Sequence, residues 1–98
     1  MVEAFKSDTF DSWLSGLRDR LAAVRVQVRI DRLAAGNAED VKPVGDGISE
    51  IRIDHGPGYR VYFMQRGPVI VVLLCGGDKS SQEADIRAAK RMAQDWKG

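Results

Sequence analysis

The chain has 98 residues, 44% apolar and 30% charged, with a formal net charge of +1 at pH 7. That composition suits one folded domain spanning residues 1–98 rather than a disordered chain. The near-zero balance argues against nucleic-acid binding by bulk positive charge, so any anion site must come from local clustering.

No run approaches the roughly 18 apolar residues of a membrane span, and the N-terminus has no apolar signal-peptide core. The single cysteine, Cys75, excludes an internal disulfide and suits a reducing, cytoplasmic setting. In an apolar strand it reads as a small buried hydrophobe.

Val2 to Lys6 can form a short opening strand. Ser7 and Asp8 offer an N-cap before Phe10, Trp13, Leu14 and Leu17, which recur at helical spacing. Gly16 and Arg18-Asp19-Arg20 end this first helix. A second is expected from Asp19 to Ala35, stopped by Gly36-Asn37. It is apolar on two sides: Leu21, Val24 and Val28 form one stripe, and Val26, Ile30 and Leu33 another. Arg25, Arg29 and Arg32 run between them. Such a helix is either sandwiched or left with one stripe for a partner; Arg25, Arg29, Val26 and Ile30 are the candidate partner surface. A row of arginines is by default a solvated face.

Val41-Lys42-Pro43-Val44 reads as a weak strand, placed at an edge or bulge by its proline. From Gly47 to Lys79 follow three apolar-rich runs separated by His55-Gly56-Pro57-Gly58 and Arg66-Gly67-Pro68, a strand–turn–strand–turn–strand pattern. The last run, Val69 to Cys75, is apolar on both faces and should lie centrally, covered on both sides. Ser80 and Glu83 have the spacing of a capping box, opening a final helix whose apolar face is Ile86, Ala89, Ala93 and Trp96. Together these elements make an α+β domain.

Side chains alternate along a strand, so Glu50, Arg52, Arg60 and Tyr62 fall on one face, which the helical hairpin can leave open. Lys79 stands at the end of the central strand and can reach the same cleft. Arginines on rigid strands suit a phosphate, because a guanidinium keeps its charge and offers paired donors. Two or three such cations around a phosphodiester stabilise the charge of a pentacoordinate transition state. RNA brings its own nucleophile, the 2′-hydroxyl, so cleavage needs only a proton acceptor, a proton donor and charge stabilisation. Glu50 or His55 can accept the proton; Tyr62 or His55 can donate one or stack on a base. The bland alternative is that Glu50, Arg52 and Asp54 pair with Arg60 across the hairpin, interactions worth little. His55 is then a loop histidine and Tyr62 a packing residue. No metal-ligand spacing is present, and the Gly56-Pro57-Gly58 and Gly76-Gly77 stretches suit turns.

In order and spacing, FDSWLSGLRD, RIDRLAAGNAEDVKPVGDG, GDGISEIRIDHGPGYRVYF and VIVVLLCGGDKSSQEADI resemble the RelE/ParE superfamily of bacterial type II toxins. The HigB-like branch of addiction-module killer proteins is nearest, and the resemblance spans nearly the whole chain. It implies a RelE-like fold: an N-terminal helical hairpin packed on one face of an antiparallel sheet of four to five strands, with a C-terminal helix. It also implies a cognate antitoxin, a small helix-turn-helix protein encoded beside it.

The activity it implies is ribosome-dependent cleavage of mRNA without a metal or other cofactor. Arg60 matches the arginine of the GYR strand, Arg52 the basic position of the preceding strand and Lys79 the basic residue after the last. Lys42, Arg52, Arg60 and Lys79 are then the RNA-binding set. Glu50 stands where RelE has a second basic residue, and Asp85 where it has a tyrosine. HigB-type members use histidine and acidic residues, which puts His55, Glu50 and Asp85 forward. The ParE branch shares the fold but binds and inhibits DNA gyrase without catalysis, and a non-toxic antitoxin-binding relative is a third reading.

Overall fold

The computed structural model describes residues 2–96. Its elements are β1 (Glu3–Lys6), α1 (Asp8–Ser15), α2 (Arg20–Ala34), β2 (Val41–Gly45), β3 (Ile48–Ile53), β4 (Tyr59–Arg66), β5 (Ile70–Asp78), a 3₁₀ turn (Lys79–Ser81) and α3 (Gln82–Asp95). The expected α+β architecture is present, with strand order β1-β5-β4-β3-β2. Strands β2 to β5 form the antiparallel run, but the sheet is mixed: β1 joins the edge parallel to β5, Glu3 opposite Ile70. A parallel neighbour requires a long crossover, and here everything between β1 and β5 supplies it.

Local chemistry sets the helix ends. The Ser7 hydroxyl accepts from the Phe10 N–H at 3.0 Å and donates to the Leu74 carbonyl at 2.6 Å, capping α1 and tying it to β5. Asp19 caps α2, accepting from the N–H groups of Leu21 and Ala22 at 3.1 Å. The expected Ser80–Glu83 capping box does not form. Instead Asp78 caps the 3₁₀ turn, accepting from the Ser80 N–H at 2.8 Å, and α3 begins after Ser81 without a side-chain cap.

Helices α1 and α2 cover one sheet face, packing Phe10, Val26 and Ile30 onto Ile51, Ile53, Val61, Phe63, Val71 and Leu73. Each such fully buried side chain contributes roughly 1.5–3 kcal/mol. Val26 and Ile30 are 0% and 2% exposed, which corrects their assignment to a partner surface: they are the inner stripe of α2.

The opposite face is not left open along its length. Helix α3 closes one end of it over Ile48, Tyr62, Met64, Val72, Leu74 and Cys75. A bulge in β5 lets Tyr62 pair with Cys75 and Phe63 with Leu73. The extra residue puts Leu74 and Cys75 in the same cluster beneath α3. Burial, followed by the charge of Asp85, pushes the Cys75 thiol up to about 12, as suits an inert buried side chain.

Gly76 and Gly77 belong to β5 rather than to a turn. A Cβ on Gly76 would overlap the Trp13 indole of α1, and one on Gly77 would overlap the Asp85 carboxylate of α3. The two glycines let the helices of opposite faces approach the same stretch of strand.

Candidate functional site

The register of the central hairpin decides the site. Arg52 on β3 lies directly opposite Arg60 on β4, and Arg60 lies opposite Gly77 on β5. Glu50 pairs in the same way with Tyr62. The four side chains therefore share a face, as strand alternation requires, but α3 divides that face in two. At the uncovered end, Arg52, Arg60 and Lys79 line an open cleft of about 470 Å³ with Asp40, Asp54 and the Gly56-Pro57-Gly58 turn. The turn has Gly56 at φ 57° and Gly58 at φ 82°, left-handed conformations that glycine adopts without strain.

The two arginines differ in their engagement. Arg52 donates from Nε and Nη2 to one oxygen of Asp40, at 3.0 and 2.5 Å. Its N–H also donates to the Asp40 carbonyl at 3.1 Å. Asp40 holds φ at 49°, a costly conformation for a residue other than glycine. Arg60 forms no ion pair among the described residues, and its Nε is buried without a hydrogen-bond partner. This arrangement overturns pairing of Glu50 and Asp54 with Arg60 as the account of the charged face.

Glu50 and Tyr62, offered by the sequence as proton-transfer or stacking groups on an open face, are 1% and 0% exposed. They lie at the end of the face that α3 covers. The Gln82 amide of α3 donates to Glu50 Oε2 at 2.9 Å, and the Tyr62 hydroxyl has no hydrogen-bond partner. Burial and then the Glu50 charge, with Asp85 adding and Arg60 opposing, push the Tyr62 pKa far above its ordinary value. Asp85 accepts from the Ser81 hydroxyl at 2.6 Å. Neither Glu50 nor Tyr62 lines the cleft.

His55 turns the other way. Its Nε2 is 2.9 Å from Asp19 Oδ2, so it secures the β3–β4 turn to the start of α2 and leaves the cleft. The hydrogen bond with His55, followed by that from the Ala22 N–H, lowers the Asp19 pKa. Lys42 is exposed on edge strand β2, opposite Glu50, and is not among the cleft-lining residues.

On α2, Arg29 donates to the Arg52 carbonyl at 2.9 Å and also to the Glu39 carbonyl, while Arg32 lies 3.5 Å from Glu39. Arg29 thus fixes the backbone on both sides of the Asp40–Arg52 contact. Asp40 as a partner for Arg52, and Asp54 as a cleft carboxylate, were not singled out from the sequence as site residues. Asp40 sits in an irregular linker whose fold no periodicity reveals. Asp54 reads in the sequence only as a charge that could pair with Arg60 across the hairpin. Among the described residues no group of three or more His, Cys, Asp or Glu side chains is placed to hold a metal ion, and no helix is long and apolar enough to cross a membrane.

A family model described as "Phage derived protein Gp49-like (DUF891)" matches residues 12–97. The chain is also 55% identical, over 87 residues, to an uncharacterized protein of Haemophilus influenzae; the match covers 89% of this chain and 88% of that protein.

Proposed function

The chain belongs to the Gp49-like family of phage-derived proteins, a family associated with the toxins of toxin–antitoxin modules. From that premise we propose that it is a RelE-like, HigB-branch toxin that blocks translation by cutting mRNA on the ribosome, held in check by a cognate antitoxin. The observation that carries this reading is the convergence of Arg52, Arg60 and Lys79 on one open cleft. Three cations without a covering element suit an extended phosphodiester.

In this mechanism the 2′-hydroxyl of the bound nucleotide attacks the adjacent phosphorus, and the P–O5′ bond breaks. Arg60, whose Nε has no internal partner, and Arg52 stabilise the pentacoordinate phosphorane. Lys79 gives a proton to the leaving 5′-oxygen, so the products are a 2′,3′-cyclic phosphate and a 5′-hydroxyl. Asp54 replaces Glu50 and His55 as proton acceptor, because it is the cleft carboxylate not already committed to Arg52. A base must stand within reach of the proton it takes. Neither buried Glu50 nor Asp19-bound His55 lines the cleft.

One observation favours a second reading. Neither Tyr62 nor His55 lines the cleft, so the aromatic or histidine partner implied by the RelE likeness is not at hand, and a binding toxin acting on DNA gyrase without catalysis is the alternative. Inducing the chain without its antitoxin and mapping mRNA 5′ ends separates the two. Cuts within translated codons, lost on Arg60→Ala with folding intact, are expected. Intact messages with stalled replication and a DNA-damage response would replace the nuclease with the gyrase reading.

A further inference from the structure

Five large apolar side chains are well exposed among the described residues, and three of them, Leu21, Val24 and Val28, lie on α2 at 53%, 57% and 40%. Single exposed apolar residues need no explanation; a contiguous row does. At i, i+3 and i+7 these three make a stripe about 10 Å long on the outer face of a helix. Its inner face is already occupied by Ala22, Val26 and Ile30 in the core.

The surroundings say what covers the stripe. Beside it runs a groove of about 310 Å³ lined by Arg25, Val28, Arg29, Arg32, Glu39 and Asp54, among others. Arg29 is committed to two carbonyls. Arg32 reaches Glu39 only at 3.5 Å with both side chains half exposed, a contact that contributes little. Arg25 forms no ion pair among the described residues.

We infer that the outer face of α2 is a docking surface for an acidic amphipathic helix of a partner protein. Its apolar side would sit on Leu21, Val24 and Val28, and its carboxylates would reach Arg25 and Arg32. A helix fits because an i, i+3, i+7 ridge packs into the grooves of another helix. A second copy of the chain fits poorly in an antiparallel two-fold pairing across this stripe, which would bring the same arginine rows together. A nucleic-acid strand would use the arginines but leave the apolar ridge uncovered. The inference goes beyond the reading of the cleft and stands whether or not the cleft cuts RNA.

The test is a titration of the ¹⁵N-labelled full chain with two synthetic 18-residue helical peptides. Both carry leucines at i, i+3 and i+7, one with glutamates and the other with lysines on the flanks. The glutamate peptide should shift the amide resonances of α2 and bind at least about tenfold more tightly than the lysine peptide. Val24→Thr with Val28→Thr should weaken it about tenfold. Arg25→Glu with Arg32→Glu, which leaves the apolar stripe whole, should invert the preference toward the lysine peptide. Circular dichroism of both variants should match that of the wild type.

Equal binding of the two peptides, no binding, or shifts confined to the cleft would overturn the inference. So would concentration-dependent self-association abolished by Val24→Thr, which would make a second copy the occupant. Displacement of the peptide's α2 shifts by single-stranded RNA would give the surface to nucleic acid instead.

Discussion

Arg52 and Arg60 face one another across β3 and β4, and only Arg52 has a carboxylate, that of Asp40, to answer its charge. Like charges directly opposite on neighbouring strands destabilise the pair, and the buried Nε of Arg60 adds an unsatisfied donor. A phosphate in the cleft would offset the like charges, and to reach Arg52 fully it must displace Asp40. Asp40→Asn should therefore strengthen binding of a fluorescent single-stranded RNA several-fold, while Arg60→Ala weakens it by about tenfold. Anisotropy titrations at one fixed salt concentration measure both. An Asp40→Asn variant that binds RNA less well would mean that Asp40 positions Arg52 for the ligand rather than competing with it.

Glu50 and Tyr62 offer a sharper division between catalysis and packing. Both are buried beneath α3, and the Tyr62 hydroxyl lacks a partner. Removing an unsatisfied buried hydroxyl costs little and can stabilise, so Tyr62→Phe should change unfolding free energy by no more than about 1 kcal/mol, toward greater stability if at all. Cleavage should persist in Tyr62→Phe and in Glu50→Gln, and fall in Asp54→Asn with RNA binding retained. Urea unfolding and single-turnover cleavage of a translated message test this. A Glu50→Gln protein that folds normally yet no longer cuts would return the proton-transfer role to Glu50.

These two residues show where the sequence is readable and where it stops. Alternation along β3 and β4 correctly put Glu50, Arg52, Arg60 and Tyr62 on one face, because the period of a strand is a local property of the backbone. Which part of that face stays open depends on where α3 lies, and that depends on the bulge after Tyr62 and on two glycines that admit close helix approach. None of this leaves a periodic trace. Likewise, α2 displayed two apolar stripes plainly, but choosing the inner one required the sheet. The bare residues suggested Val26 and Ile30 for a partner, and the structure exposes Leu21, Val24 and Val28 instead. The helix ends were more legible: Ser7 caps α1 as read, while α2 starts one residue past Asp19 because Asp19 is its cap.

The glycine pair of β5 makes a stability prediction with two unequal arms. An added methyl at Gly76 meets the Trp13 ring, itself packed against Phe10 and Tyr59 at ring-centroid distances of 5.7 and 6.2 Å. At Gly77 it meets the end of the Asp85 side chain, which can rotate away by giving up its bond from Ser81. Overpacking of this kind costs roughly 1–3 kcal/mol, so Gly76→Ala should sit at the upper end and Gly77→Ala at the lower. Adding Asp85→Ala should recover most of the Gly77→Ala loss and none of the Gly76→Ala loss. Denaturant midpoints of the four variants decide it, and equal, unrescued losses at both glycines would show that backbone conformation, not helix approach, dictates them.

The Asp19–His55 contact ties stability to pH with a definite sign. Asp19 caps α2 and holds the β3–β4 turn through His55, and both attachments favour its charged form. Its pKa in the folded chain is lowered from its ordinary value, chiefly by the His55 hydrogen bond. A carboxylate with a depressed folded pKa contributes stability that is fully present above its unfolded pKa, about 4. That contribution is lost as pH falls through the folded value. Wild type should therefore lose stability below about pH 4 more steeply than Asp19→Asn, whose side chain cannot titrate. At neutral pH Asp19→Asn should retain part of the cap and weaken the hydrogen bond to His55, and His55→Ala should lose the turn's anchor while leaving the α2 cap in place. Urea midpoints measured from pH 3 to 7 for the three proteins give the comparison. Parallel pH profiles for wild type and Asp19→Asn would show that other carboxylates govern acid unfolding and that the contact merely accompanies the fold.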